Sequence, residues 1–220
     1  MSAPAPGGEA AADAEQVYLA DCASCHGDDG AGTNRGPSLV GVGGASTHYY
    51  LTTGRMPIDD PDTKIVRAQP AYSPELIEEL VTYVEGFGSG GPAVPHVSIE
   101  SADVAKGGTL YRSQCASCHA TAGAGGALLY QHAPAVIHAT PTQTADAIRV
   151  GPGTMPAFGE AALGEEELND VVAYVDYLSH SDDRGGQPLW HLGPLIEGLA
   201  AWVLGMGTLV LLALWIGKAT

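Results

Sequence analysis

The pentapeptide CASCH occurs twice in this chain of 220 residues, at residues 22–26 and again at residues 115–119, and the two copies contain all four cysteines. The spacing C-x-x-C-H is the attachment signature of c-type haem. Two thiols form thioethers with the haem vinyl groups, and the adjacent histidine supplies an axial nitrogen to the iron. The motif therefore predicts two covalently bound haem c groups. The predicted attachment residues and histidine ligands are Cys22, Cys25 and His26 in the first copy, and Cys115, Cys118 and His119 in the second.

Two other uses of paired cysteines compete with haem attachment. A C-x-x-C pair can act as a redox-active dithiol, and two such pairs can share one tetrahedral zinc ion. Neither use needs a histidine directly after each second cysteine. The motif therefore favours haem, with disulfides or zinc as the alternative.

Composition and charge narrow the class of protein further. Only 6% of the residues are aromatic, while glycine contributes 30 residues and proline 15, so a core made of side chains alone would be thin. Two haems would add large apolar bodies around which small domains can form. The net charge of −16 argues against nucleic acid as a partner, because phosphates bind to clusters of lysine and arginine.

The repeat extends beyond the two pentapeptides. In both copies a small residue, an aromatic residue and the first cysteine follow one another at intervals of four, as Ala14, Tyr18 and Cys22 and as Gly107, Tyr111 and Cys115. Residues at this spacing share one face of a helix, so a helix is predicted to lead into each motif. A second helix is predicted later in each copy from apolar residues at helical spacing. These residues are Leu76, Ile77, Leu80, Val81, Val84 and Phe87, and then Leu168, Val171, Val172, Val175 and Leu178.

Methionines are the predicted second ligands of both haem irons. Met56 and Met155 each lie in a loop of small residues and precede a proline, 30 and 36 residues after the motif histidine. Thioether sulfur is a good ligand of haem iron, and its paired occurrence favours ligation over simple packing. Three unpaired histidines are the rival ligands, namely His48, His132 and His138.

A proline loop lies between the motif and the methionine in each copy. Pro37 and Pro134 are predicted to lie beside the haem histidines, where a backbone carbonyl of the loop could accept the imidazole Nδ1–H and orient the ring. An ordinary turn proline is the alternative reading.

The C-terminal region predicts a membrane anchor. Residues 198–217 are 20 positions without a charge, and a helix of this length, at about 1.5 Å per residue, crosses a hydrocarbon layer of about 30 Å. Trp202 and Trp215 lie near its ends, where indole rings favour the membrane interface. Glu197 precedes the stretch and Lys218 follows it, which predicts a cytoplasmic C-terminus and haem domains on the outer, periplasmic side of the cytoplasmic membrane. The alternative is a buried helix of a globular domain.

The first residues of the numbered sequence do not have the pattern of an export signal. Residues 1–16 lack a basic segment and an apolar segment, although c-type haem is attached outside the cytoplasm. We therefore expect that the numbered start lies downstream of the natural one, or that the signal was removed. The predicted organisation is a flexible tether at 1–8, a first domain at 9–88, a linker at 89–100, a second domain at 101–181, a juxtamembrane linker at 182–196 and a transmembrane helix at 197–217.

These features resemble those of class I cytochromes c, in the aromatic helix before C-x-x-C-H, the proline loop, the methionine loop and the aromatic C-terminal helix. The resemblance covers roughly residues 9–88 and 101–181. It implies an all-α fold with two tandem class I cytochrome c domains, followed here by a single C-terminal transmembrane helix.

The order of the whole chain is similar to that of the dihaem cytochrome c subunits of actinobacterial-type cytochrome bc complexes. The segments GPSLVGVG (36–43), TGRMP (53–57) and LWIG (214–217) carry this resemblance. It implies cytochrome b and Rieske iron–sulfur subunits as partners, and the copper-centre subunit of a haem–copper oxidase as the next acceptor. It also implies an electron-transfer subunit without independent substrate chemistry.

Three other functions compete with this interpretation. A dihaem peroxidase would need one haem with an open coordination position, which the paired methionines argue against. The chain could instead serve as the electron-transfer subunit of another membrane dehydrogenase or oxidase. A haem-based sensor ranks last, because the sequence contains no output domain.

Overall fold

The computed structural model describes residues 14–128, 131–180 and 194–218. The predicted tether at 1–8 and most of the predicted juxtamembrane linker lie outside these residues. The chain divides into two units, residues 1–179 and residues 180–220. The first unit contains both CASCH motifs, and the second contains the apolar C-terminal helix.

The first half of the larger unit is helical. Its elements are α1 (Ala14–Asp21), α2 (Ala23–His26), α3 (Gly44–Thr52) and α4 (Pro74–Glu85). Helix α4 begins at Pro74, because Ser73 accepts a hydrogen bond from the Leu76 amide at 3.3 Å and Pro74 occupies the first turn. Its buried face contains four of the six residues at helical spacing, Ile77, Leu80, Val81 and Val84.

The second half repeats this order with one addition. Its elements are α5 (Val104–Gln114), α6 (Ala116–His119), β1 (Gly126–Leu128), β2 (Gln131–Ala133), α7 (Pro141–Val150) and α8 (Glu165–Ser179). Helix α8 crosses α5 and buries the apolar face predicted from its spacing. Helix α7 begins with a capping box, in which the side chain of Thr140 and the side chain of Gln143 bond to each other's backbone amides.

The described residues confirm the predicted helical fold, to which the short strands β1 and β2 are a local addition. These strands form a two-stranded antiparallel pair in which Gly126 lies opposite Ala133. The proline follows the motif histidine by 15 residues in this copy and by 11 in the first copy. The hairpin falls within this longer connection, so it accommodates the additional residues without changing the helical framework.

The predicted linker at 89–100 forms no helix or strand, as its glycines and prolines suggest, but it packs against both halves. Val94 contacts the first hydrophobic core, while Val97 and Ile99 contact the second. The Ser98 amide also donates to the Asn169 side chain at 3.0 Å. The linker is therefore attached at both ends by its few apolar residues, and composition alone does not predict this.

Helices α3 and α7 pack against each other and join the two halves. The contact is polar: the Gln143 amide nitrogen donates to the Thr52 carbonyl at 2.9 Å, and the Arg67 guanidinium donates to the Gln143 side-chain oxygen at 2.9 Å. His48 and the fully buried Asp146 are hydrogen-bonded at 2.5 Å. The same gap between helices thus contains both a hydrogen-bonded bridge through Gln143 and the pair of His48 with Asp146.

The C-terminal helix α9 spans Pro194–Lys218, beginning three residues before the predicted start at 197. A proline is favoured in the first turn of a helix, which accounts for the earlier beginning. The segment Ile196–Lys218 is long and apolar enough to cross a membrane, and none of its apolar window is buried in the described protein. This exposure disagrees with the alternative of a buried globular helix and fits a membrane span.

Candidate haem-binding sites

Both motif histidines are held by the carbonyl of the predicted proline. His26 Nδ1 lies 2.8 Å from the Pro37 carbonyl oxygen, and His119 Nδ1 lies 2.9 Å from the Pro134 carbonyl oxygen. A carbonyl only accepts, so Nδ1 is the donor in each pair and Nε2 keeps its lone pair. The same contact, formed across loops of different length, prepares Nε2 of each ring to coordinate a metal.

A buried tyrosine fixes the backbone directly after each motif. The Tyr18 hydroxyl donates to the Gly27 carbonyl at 2.8 Å, and the Tyr111 hydroxyl donates to the Ala120 carbonyl at 2.9 Å. Burial raises the pKa of Tyr18 to about 12 and also raises the pKa of Tyr111 well above its ordinary value. Both hydroxyls therefore stay protonated at neutral pH and remain donors.

The first cysteine of each motif is partly buried. Burial raises the pKa of Cys22 to about 11 and that of Cys115 to about 11. Reactive dithiols and zinc-bound cysteines need the thiolate, which a raised pKa disfavours. Within the part of the chain that the structure describes, no disulfide forms and no three His, Cys, Asp or Glu side chains come together as a metal cluster. The geometry of the described residues therefore gives the disulfide and zinc alternatives no support.

Each predicted methionine ligand belongs to the core of its own half. Met56 packs against the cluster that contains Tyr18, and Met155 packs against the cluster that contains Leu168. The Met56 amide donates to the Tyr50 carbonyl at 3.1 Å, which ties the loop to helix α3. Both side chains are partly buried, as a residue that closes a cofactor crevice would be.

The structure places the rival histidines elsewhere. His48 lies between the two halves, with Nδ1 bonded to Asp146 and Nε2 3.6 Å from Glu78. Both of its nitrogens therefore face carboxylates. His132 and His138 are exposed. None of the three has a counterpart in the other half, so they differ from the paired methionines in position as well as in number.

The residues around the motifs fit a haem by their chemistry. An apolar cavity adjoins Cys115 and is lined by side chains that include Leu110, Ile148 and Phe158. The proline loop also approaches each motif closely: a Cβ atom on Gly36 would lie 2.8 Å from the Cys25 carbonyl oxygen, and one on Gly126 would lie 2.9 Å from that of Cys118. Only glycine permits this approach, which brings the loop carbonyl to the histidine.

Sequence reasoning missed two kinds of supporting residue. The spacing predicts that each tyrosine lies on the helix that leads into the motif. It does not predict the hydrogen bond from the tyrosine hydroxyl to the carbonyl directly after the motif, because that contact depends on the fold. Arg149 also escaped notice, although it donates to the carbonyls of Phe158 and Leu163 at 2.9 and 2.7 Å and so holds the segment after Met155. A lone arginine within a helix gives no sequence signal for such a role.

Two helical halves, each with C-x-x-C-H, a carbonyl-bound histidine and a core methionine, define a tandem cytochrome c. The family described as "Cytochrome C oxidase, cbb3-type, subunit III" matches residues 9–84 and 102–175, which confirms two cytochrome c domains in succession and, with them, haem c as the cofactor class. Relatives similar over most of the chain are more specific, and the chain belongs to the family of cytochrome c subunits of cytochrome bc1 complexes.

Three of these relatives are named "Cytochrome bc1 complex cytochrome c subunit". The protein of Mycobacterium leprae is 37% identical over 213 residues, which cover 92% of this chain and 73% of the relative. That of Corynebacterium diphtheriae is 36% identical and covers 93% of this chain and 79% of the relative. That of Corynebacterium efficiens is 33% identical, with 94% and 76% covered. The predicted resemblance to dihaem subunits of bc complexes is thereby confirmed.

Proposed function

We propose that this chain is a membrane-anchored dihaem c-type cytochrome that relays single electrons from the Rieske centre of a cytochrome bc complex towards a haem–copper terminal oxidase. The observation that carries the proposal is the twofold occurrence of one arrangement: a CASCH motif, a histidine bonded through Nδ1 to a proline carbonyl, and a methionine in the adjacent core. Haem, when bound, supplies a one-electron couple between ferric and ferrous iron.

The residues that would hold the two haems follow from this arrangement. Thioether bonds would form at Cys22 and Cys25 in the first domain and at Cys115 and Cys118 in the second. The proposed axial ligands are His26 with Met56 and His119 with Met155. Pro37 and Pro134 orient the two imidazoles through their carbonyls, and the buried aliphatic residues of each core exclude water from the iron.

The contact between helices α3 and α7 supports transfer between the two domains. Gln143, Thr52 and Arg67 form one hydrogen-bonded bridge across it, and the linker between the domains packs on both cores. Two haems held in one compact unit can exchange electrons without a diffusing carrier. Attachment through α9 would keep this unit beside its partners at a high effective concentration.

The relatives' names support cytochrome b and the Rieske protein as partners, whereas the oxidase rests on the resemblance of the chain order alone. A subunit of a bc1 complex would associate with cytochrome b and the Rieske protein, and the haem–copper oxidase would be the next acceptor. The charge asymmetry of Glu197 and Lys218 around α9 supports haem domains on the outer side of the cytoplasmic membrane, with the C-terminus in the cytoplasm.

Three measurements test the proposal. The alkaline pyridine haemochrome spectrum should give two haem c per chain, and one per chain when both cysteines of either motif are changed to alanine. Purification in mild detergent should recover cytochrome b and Rieske subunits with the chain, whereas a dehydrogenase flavin in their place would contradict the assignment. Carbon monoxide should bind neither reduced haem of the native protein; rapid binding to one would favour the peroxidase alternative.

A further inference from the structure

Arg55, directly before Met56, carries a buried donor that no protein group satisfies in the part of the chain that the structure describes. Its Nη1 atom is shielded from solvent and has no hydrogen-bond partner among those residues. The guanidinium lies over the Tyr49 ring, with 4.9 Å between Cζ and the ring centroid. Burying a cationic donor without an acceptor is costly, so this position indicates an anion that the protein itself does not provide.

A second guanidinium lies in the adjoining segment. Arg67 is next to Ala68, whose amide donates to the Thr53 carbonyl at 3.1 Å and so joins this segment to the methionine loop. Partial burial and the nearby charge of Arg55 both lower the pKa of Arg67. Among the described residues, no carboxylate lies within 4.0 Å of either guanidinium. Two positive charges therefore approach each other without a protein anion between them.

In the second domain, the guanidinium of Arg149 has protein acceptors. Arg149 directs its guanidinium to two backbone carbonyls of its own domain, so it needs no external acceptor. The carboxylate of Asp146, which belongs to the second domain, acts electrostatically on Tyr49. Its Oδ2 is bonded to His48, and its Oδ1, although unpaired in the described part of the chain, is more than 4.0 Å from the guanidiniums of Arg55 and Arg67. The Nη1 donor of Arg55 is thus left, among the described residues, for a group of another kind.

We propose that Arg55, assisted by Arg67, binds a propionate carboxylate of the haem attached to Cys22 and Cys25. Guanidinium and carboxylate form strong charge-assisted hydrogen bonds, and Arg55 lies next to the proposed ligand Met56 in sequence. This inference rests on the haem attachment proposed above. A soluble anion such as phosphate has the same chemistry and is the competing source.

The test uses the purified full-length holoprotein in detergent. The midpoint potentials of both haems are measured by spectroelectrochemistry from pH 5 to pH 8 in wild type, Arg55→Gln and Arg55→Lys. Lys64→Gln is the matched control, because Lys64 is an exposed cation of the same loop. The wave that moves in a Met56→His variant identifies the first haem, and the pyridine haemochrome spectrum counts haems independently of the arginines.

Loss of the guanidinium should leave the propionate charge unbalanced and favour ferric iron. Arg55→Gln should therefore change the ferric-to-ferrous ratio of the first haem about tenfold at fixed potential, which equals ~59 mV for one electron. Its potential should also become dependent on pH, because the propionate would then take up a proton within this range. Arg55→Lys should restore most of the wild-type behaviour, and the second haem should not respond.

Several outcomes would overturn the inference. The first is a potential of the first haem that is the same in Arg55→Gln as in Lys64→Gln, and the second is an equal shift of both haem potentials in Arg55→Gln. The third is that Asp146→Asn gives the same pH profile as Arg55→Gln, which would make Arg55 a partner of that carboxylate. A wild-type first-haem potential that depends on phosphate at constant ionic strength would identify a soluble anion instead. The phosphate arm uses only wild type, so it decides the matter even if Arg55→Gln does not fold. Fewer than two haems per chain would instead contradict the proposed function.

Discussion

The two cytochrome c domains agree closely around the haem motif. The rings of Tyr18 and Tyr83 lie 5.3 Å apart at 48°, and those of Tyr111 and Tyr174 also lie 5.3 Å apart at 48°. The Nδ1-to-carbonyl distances of the two motif histidines differ by only 0.1 Å, at 2.8 and 2.9 Å. The contacts closest to the proposed iron sites are therefore the ones that repeat.

The domains differ in how their outer parts are held together. In the second domain, Asp170 accepts a hydrogen bond from the Asp103 amide at 2.8 Å and lies 3.2 Å from the Lys106 ammonium, which joins α5 to α8. Gly107 allows these helices to approach so closely that a Cβ atom there would lie 1.8 Å from the Asp170 carbonyl oxygen. The first domain has Ala14 at the corresponding position, so its helices cross with a side chain between them.

This difference separates two requirements of the fold. Orientation of the histidine depends on a short set of contacts, from the tyrosine and from the proline loop, and both domains keep them. The crossing of the first and last helices of each domain needs only a filled core, which a glycine contact or a small side chain can provide. A change to a shared contact should thus have the same effect whichever domain carries it. A change at the crossing of the first and last helices should have different effects in the two domains.

The largest effect is expected from replacing the proposed sulfur ligands. Met56→His and Met155→His should each lower the potential of the matching haem by on the order of a few hundred millivolts, because axial ligands alone vary haem potentials over ~0.8 V. Each should also abolish the sulfur-to-iron absorption at the red end of the spectrum. Redox titration followed at that band measures both effects.

The controls for this pair of variants address the symmetry of the domains. His132→Gln changes an exposed histidine and should leave both potentials unchanged. If one methionine variant retains its absorption band and its potential, then the two haems do not have the same axial ligands, and the domains differ even at the haem iron.

The sequence predicts the shared contacts better than the others. Repeated spacing identifies both motifs, the helices around them and the proline loops, because each of these features is local and occurs twice. His48 shows where such reasoning ends. Its position in the sequence near the first motif makes it a rival ligand of the haem iron. In the structure its partner is Asp146, 98 residues away in the other domain, and no sequence periodicity connects two such positions.

The ion pair between the domains predicts a dependence of stability on pH. The hydrogen bond that His48 donates to Asp146 raises the pKa of His48, while burial acts in the opposite direction, and Glu78 is the other charge that faces the ring. Burial raises the pKa of Asp146, and its bond to His48 opposes this; we assign the bonded state to imidazolium with carboxylate. A histidine with a raised pKa stabilises the folded state fully below its unfolded pKa of about 6.5, and this contribution is lost as the pH rises through the folded value.

The wild-type unfolding temperature should therefore decline as the pH is raised above about 6.5, and His48→Gln should remove that decline. At pH 6 the variant should lose about 3–5 kcal/mol of stability, because Asp146 would be buried without its partner. Thermal unfolding followed by circular dichroism between pH 5.5 and pH 9 measures both effects. His96→Gln, at an exposed position in the linker, should keep the wild-type profile; an equal response there would remove the ion pair as the cause.

An asymmetric effect is expected at the helix crossings. Gly107→Ala should lower the free energy of unfolding by about 1–3 kcal/mol, because the added methyl group meets backbone and the helices must move apart. The corresponding change in the first domain, Ala14→Gly, should cost at most about 1 kcal/mol through helix propensity. Denaturant titration of the two variants measures the difference. Gly159→Ala, where a Cβ atom would meet nothing within 4 Å, is the control, and equal losses at Gly107 and Gly159 would contradict a close crossing.

The smallest effect is expected from the tyrosine hydroxyls and should be symmetric. Tyr18→Phe and Tyr111→Phe keep the aromatic contacts but remove the bonds to the Gly27 and Ala120 carbonyls, so each should cost about 0.5–1.5 kcal/mol. Because these bonds fix backbone and not imidazole, the potential of each haem should stay close to its wild-type value. Denaturant titration and redox titration of the same samples separate the two effects. A haem potential that shifts in Tyr18→Phe but not in Tyr111→Phe would show that the hydroxyl influences the iron in one domain only. The two domains would then share the geometry of these contacts but not their effect on the haem.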